Sequence, residues 1–187
     1  MKSLKPRTVH YRRKREQKTN YLRRRRQLVG GIPRLVVRFT SSRVIAQVVE
    51  FTVTGDKILA AVDSSALSKL GWAYSLKNTP AAYLTGMLLA SKARSAHVTS
   101  AVLDLGFRTP KPGAKVYAVL KGALDGGLDV PSGKEIIPPV DRLHGEHIAA
   151  YAATGPKGVQ FAQYLKNKVQ SQQISAQVKA MAVKLTK

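Results

Sequence analysis

The chain has 187 residues, with 32 Lys and Arg against 10 Asp and Glu, a formal net charge of +22. A compact domain ordinarily carries a net charge of roughly 2 to 8 in magnitude, so this one requires a counter-charge, and a polyanion is the natural one. Cysteine is absent, which excludes disulfide frameworks, thiolate zinc sites and cysteine nucleophiles.

A hydrophobic share of 44% is enough for a globular core. The stretch AAYLTGMLLASKA is shorter than the ~20 residues a bilayer requires. The first thirty residues lack the apolar centre of a signal peptide. The expectation is a cytoplasmic protein with no membrane partner.

Residues 1–27 hold twelve basic side chains and one acid, Glu16, so half of the net charge lies in about a seventh of the length. Within this arm, TNYLRRRRQLVGG predicts a short helix with Thr19 or Asn20 as N-cap and Gly30 as its left-handed stop. YRRKREQ before it predicts another helical turn or two. Tyr11 and Tyr21 punctuate the arginines, as suits side chains that stack on bases while arginine pairs with phosphate. Arginine outnumbers lysine, and no large apolar face accompanies it, which favours nucleic acid over a membrane surface.

After Gly31 the period becomes two. RLVVRFT sets Leu35, Val37 and Phe39 against Arg34, Val36 and Arg38, a half-buried strand with a basic outer face. RVIAQVVEFTV and KILAAVD, joined by the turn signal TGD, complete an antiparallel three-strand meander. SSALSKLG predicts a short helix capped by Asp63 or Ser64. NTPAAYLTGMLLASKARSA predicts a long one with Thr79 as N-cap and Pro80 in its first position. HVTSAVLDLG reads as a strand buried on both faces and, as the end of a crossover from strand three, parallel to it. KPGAKVYAVLKGALDGG and VDRLHGEHIAAYAA predict two more helices. In the tail, Ile174, Val178, Met181 and Leu185 form a stripe that needs a surface to cover. The fold class expected is α/β: a mixed sheet, the meander plus a parallel crossover strand, covered by helices. Its organisation is a basic arm (1–30), an α/β core (31–154) and a helical C-terminal extension (155–187).

Catalytic signatures are scarce. SGKE lacks the first glycine and the Ser or Thr of a phosphate-binding loop. Asp141, His144 and His147 share a helical spacing but no metalloprotease pattern. A metal-dependent nuclease of the RNase H kind would need Glu50, Asp63 and Asp104 to converge. A non-specific packaging protein is the other alternative. No cofactor or small-molecule substrate is expected.

The order of YRRKREQKTNYLRRRR, GIPRLVVRFTSSRVIAQVV, TGDKILAAVDSSALSKLGW, NTPAAYLTGMLLASKA, AVLDLGFRTPKPGAKVYAVLKGALDGGLDVPSG and IPPVDRLHGEHIAAYA resembles the L-eighteen family of large-ribosomal-subunit proteins in its archaeal form. The resemblance spans Tyr11 to Ala153. It implies a structural protein that binds 5S ribosomal RNA in the central protuberance. The implied neighbours are 23S ribosomal RNA and other ribosomal proteins, including the 5S-binding protein of the bacterial L-five family. The residues expected against RNA are Tyr11, Arg12, Arg13, Lys14, Arg15, Lys18, Thr19, Tyr21, Arg23, Arg24, Arg25 and Arg26 of the arm, with Arg34, Arg38, Arg43 and Arg108 of the body.

Overall fold

The computed structural model describes residues 9–155, 161, 164 and 169–186. Four strands, β1 (Arg34–Phe39), β2 (Val44–Thr52), β3 (Gly55–Asp63) and β4 (Val102–Asp104), form one sheet in the order β3-β2-β1-β4. β1, β2 and β3 pair antiparallel as a meander, and β4 pairs parallel with β1. The mixed α/β sheet expected from the sequence is therefore present.

The crossover strand differs from expectation in its neighbour. β3 and β4 point the same way but occupy opposite edges, because the chain crosses the whole sheet before β4 joins β1. β4 has three residues, and its Val102 and Leu103 are only half-buried, so it is an edge strand and not one enclosed on both faces. Apolar composition alone does not tell a central strand from a short edge covered by a helix.

Among the described residues there are eight helices: α1 (Arg12–Arg15), α2 (Tyr21–Leu28), α3 (Ser65–Lys69), α4 (Thr79–Ser95), α5 (Lys115–Asp125), α6 (Val140–His144), α7 (Glu146–Ala153) and α8 (Ile174–Thr186). The α4 N-cap is Asn78, whose Oδ1 accepts from the Ala81 N–H at 2.8 Å, and Thr79 is already helical. Asn and Thr both cap, and the sequence alone placed the boundary one residue late. Gly145, at φ +82°, divides the single helix expected over VDRLHGEHIAAYAA into α6 and α7. A right-handed helix cannot pass through that conformation.

α4 is the central packing element. Twelve of its seventeen residues are buried, so it is enclosed on nearly all sides and cannot be a surface helix. It packs against β2 and β3 on one flank and against α5 and α8 on others. Leu84, Met87 and Leu89 there meet Leu35, Val37, Val44 and Val48 of the sheet in one core. Each large side chain so buried stabilises the fold by about 1.5–3 kcal/mol.

The close approach of α4 to α5 depends on glycine. A Cβ on Gly86 would run into the Val119 carbonyl, and one on Gly122 into the Tyr83 carbonyl. In the tail, Ile174, Val178 and Met181 are buried in the same core and Leu185 packs on it, so the C-terminal stripe covers the protein's own body. Tail residues 156–160, expected to be helical, lie outside the described residues.

Candidate nucleic-acid interface

The basic arm lies over the outer face of the sheet, the face turned away from α4. Asn20 caps α2 by accepting from the Arg23 N–H at 3.1 Å, which resolves the choice between Thr19 and Asn20. The left-handed residue that ends the segment is Gly31 (φ +64°), one place beyond the expected Gly30. Thr19 instead accepts from Arg13 Nε at 2.9 Å and ties α1 to the start of α2. Glu16 holds Lys18 at 2.8 Å and Arg12 at 3.4 Å. The Tyr11 and Tyr21 rings pack on each other, centroids 5.2 Å apart, and link the two short helices.

One side of α2 is docked. Arg23 donates to the carbonyls of Gly106 (2.9 Å) and Arg108 (3.3 Å), and Gln27 donates to that of Leu103 (2.8 Å). Arg24 pairs with Asp56 at 2.7 Å. Residues 23, 24 and 27 fall within about 100° of helix circumference, which leaves 25 and 26 on the other side. Arg25 and Arg26 are exposed there with no ion pair to a described residue. The four consecutive arginines thus divide into two that fasten the helix and two that face solvent.

Beneath the helix runs an ion ladder. Arg34 is 3% exposed and donates to Asp104 at 3.0 Å and Asp56 at 2.8 Å. Arg38 reaches Asp104 Oδ2 at 3.4 Å and its carbonyl at 3.0 Å. Asp104 also accepts from the Gly106 N–H at 2.7 Å. Two carboxylates therefore hold three arginines from two segments, α2 and β1. Arg34 is part of the support beneath the surface, whereas Arg38 is partly exposed.

Between arm and sheet is a cavity of about 320 Å³. Arg13, Lys18, Arg23 and Arg24 line it above, and Val36, Gln47, Val49 and Ile58 line it on the sheet side. Arg43 lies apart, paired with Asp63 at 3.2 Å. Arg108 lies over the Phe39 ring at 4.8 Å, on the far side of the Gly106 loop. Arg12, Lys14 and Arg15 are exposed on α1.

The carboxylates of the nuclease alternative do not converge. Asp63 pairs with Ile45 and Glu50 with Lys57, five residue steps along the β2–β3 hairpin, or about 16 Å at strand rise. Asp104 is committed to arginines, and Asp63 accepts from the Ser65 N–H at 2.8 Å. Among the described residues no three His, Cys, Asp or Glu are grouped to hold a metal, Asp141, His144 and His147 included. No described helix is long and apolar enough to cross a membrane.

Sequence reasoning missed Asp56 and Gln27, which position the arm. It singled out Asp104 for the wrong chemistry. Their roles depend on strand register and on where α2 lands, neither of which local pattern encodes.

Comparison with known proteins finds relatives along most of the chain. The profile of the family described as "Ribosomal large subunit proteins 60S L5, and 50S L18" matches residues 6–100. The large ribosomal subunit protein uL18 of Methanoregula boonei is 50% identical over 143 residues, covering 76% of this chain and 82% of that protein. The uL18 of Caldivirga maquilingensis is 42% identical over 184 residues, covering 95% and 89%. With a docked arginine helix on a mixed α/β body and relatives of this similarity along most of its length, the chain belongs to the family of ribosomal large-subunit proteins 60S L5 and 50S L18.

Proposed function

We propose that the protein is a non-enzymatic structural constituent of the cytoplasmic large ribosomal subunit that binds 5S ribosomal RNA and anchors it to 23S ribosomal RNA in the central protuberance. Neighbouring ribosomal proteins, including the 5S-binding member of the L-five family, share that site. In this reading residues 1–30 are the RNA-binding arm, 31–154 the scaffold and 155–187 an extension.

The observation that carries the proposal is the divided arginine run. A helix whose Arg23, Arg24 and Gln27 are spent on docking presents Arg25 and Arg26 outward at a fixed position. RNA of the A-form offers phosphates, 2′-hydroxyls and loop bases more readily than a readable major groove. A rigid arginine surface matches a particular arrangement of phosphates, where a floppy basic tail meets any polyanion alike. Arg12, Arg13, Lys14, Arg15 and Lys18 extend that surface, and Arg38, Arg43 and Arg108 continue it onto the body. Arg34 and Thr19 act by holding the others in place.

The deciding experiment is a titration with 5S RNA against a size-matched tRNA at two salt concentrations. Preference for 5S RNA at moderate salt, with Arg25→Ala/Arg26→Ala weakening binding and reducing the salt slope by about 2, supports the proposal. Equal competition by the tRNA sinks it.

A further inference from the structure

A second basic site lies beyond the arm, in a cleft of about 770 Å³ bounded by β1, the segment after β4 and the first turn of α5. Lys77, Arg108, Lys111 and Lys115 converge on it, and no carboxylate is among its lining residues. None of the four forms an ion pair with a described residue. Lys77 donates to the Ser41 carbonyl at 2.9 Å, but no carboxylate balances the cluster, whereas two carboxylates, Asp56 and Asp104, hold the buried Arg34 beneath the arm. Partial burial, then Lys77, then Arg108 hold the Lys115 ammonium below its usual pKa, so the neighbouring cations of the cluster repel one another.

The cleft is larger than one phosphate needs and lies in the size range of small-ligand sites. Its floor includes the Phe39 ring, with the Arg108 guanidinium over it at 4.8 Å. A guanidinium held over a ring can stack an incoming base on its plane, a common mode by which unstacked RNA bases are held. Ser41 and Thr109 hydroxyls in the wall can bond a ribose or base edge. The site also adjoins the arm, since Arg23 of α2 donates to the Arg108 carbonyl.

We propose that this cleft receives a single unstacked nucleotide of the bound RNA, with its phosphate against Lys77, Lys111 and Lys115 and its base against Arg108. The proposal rests on the RNA-binding reading above and adds a separate point of contact to it. An acidic protein segment would use the lysines but leave the planar stack unused, so RNA is the better fit.

The test uses the full chain and 5S RNA, with tRNA as competitor. Lys111→Glu/Lys115→Glu is compared with Lys179→Glu/Lys184→Glu, an equal charge change on exposed residues of α8. Arg108→Lys keeps the charge and removes the plane. All substituted positions are exposed, and a thermal melt of each variant checks that the fold is retained. The expected result is at least a tenfold loss for the cleft double variant, with a salt slope lower by about 2. Arg108→Lys should lose roughly 5- to 100-fold, the worth of one base stack, with the slope unchanged. Base-edge chemical probing should show one nucleotide protected by the wild type and released by Arg108→Lys.

If the cleft variant loses no more than the α8 control and Arg108→Lys binds as wild type, the cleft proposal falls while 5S binding stands. If polyglutamate binds the cleft and the cleft variants bind RNA normally, the occupant is an acidic protein segment and the proposal is wrong. Failure of the wild type itself to prefer 5S RNA overturns both readings.

Discussion

Arg24 and Arg34 share one carboxylate: Asp56 holds Arg24 of the arm helix through Oδ1 at 2.7 Å and Arg34 of the sheet through Oδ2 at 2.8 Å. The first residues of β3 are thereby the clasp that fixes α2 to the body. Asp56 is one of only ten acids in a chain of net +22, so charge neutralisation and clasping make opposite predictions for its removal. Asp56→Asn raises the net positive charge by one, and if charge alone governed binding, RNA affinity would rise or hold. With a docked helix, affinity falls several-fold, and stability drops by about 1–3 kcal/mol, the worth of a charge-assisted hydrogen bond or two. Hydrogen exchange of α2 amides, faster in the variant while α4 is unchanged, locates the effect at the arm.

Asp104 is expected to matter for stability and not for catalysis. It receives Arg34, Arg38 and the Gly106 N–H, and both it and Arg34 are buried. Asp104→Asn leaves a buried guanidinium short of its counter-charge and should cost about 3–5 kcal/mol in urea denaturation. Arg34→Met removes the opposite partner and should also destabilise. At a temperature where both proteins are folded, Arg34→Met should leave the salt slope of RNA binding unchanged, because this side chain is enclosed. A slope lowered by about 1 would make Arg34 a phosphate contact after all.

The parts of this fold that local sequence encodes are those governed by periodicity. The meander follows from alternation in RLVVRFT and its successors, and the α5 helix from its apolar spacing. The tail stripe demanded a covering surface, and Ile174 and Val178 find it in the core. What escaped prediction depends on distance in sequence. β4 pairs with β1, nearly seventy residues earlier, and only that pairing brings Asp104 under Arg34. The same register turns the expected basic outer face of β1 into the floor beneath an arm, with Arg34 enclosed and Arg38 at the margin. The cluster of Lys77, Lys111 and Lys115 is likewise assembled from separate segments.

The α4–α5 contact makes a sharper stability prediction than any charge. Gly122→Ala and Gly86→Ala each set a methyl group against a backbone carbonyl of the facing helix, and backbone cannot rotate aside as a side chain can. In an isolated helix alanine would be the better residue by about 1 kcal/mol. Here each substitution should instead cost about 1–3 kcal/mol through overpacking, read as a lower midpoint in urea. A stabilised protein would mean that the two helices separate freely.

Ile174 settles how the C-terminal helix relates to the body. It is fully buried and packs beside Gly145, where a Cβ would lie 3.4 Å from Ile174 Cγ2 and 2.9 Å from Pro80 Cγ. α8 is therefore seated on the helix break and on the start of α4, so its loss would expose the central helix. Ile174→Ala should cost about 2–5 kcal/mol, as large-to-small core substitutions do. The informative readout is cooperativity: α8 and α4 amides should lose exchange protection together, and the urea transition should stay single. Were α8 an independent appendage, the variant would free its amides while leaving the midpoint of the body unchanged. The exposed Lys179 and Lys184 of α8 can then be varied without disturbing the core, because the buried stripe, together with Gln177 donating to the Gly71 carbonyl at 2.7 Å, holds the helix in place.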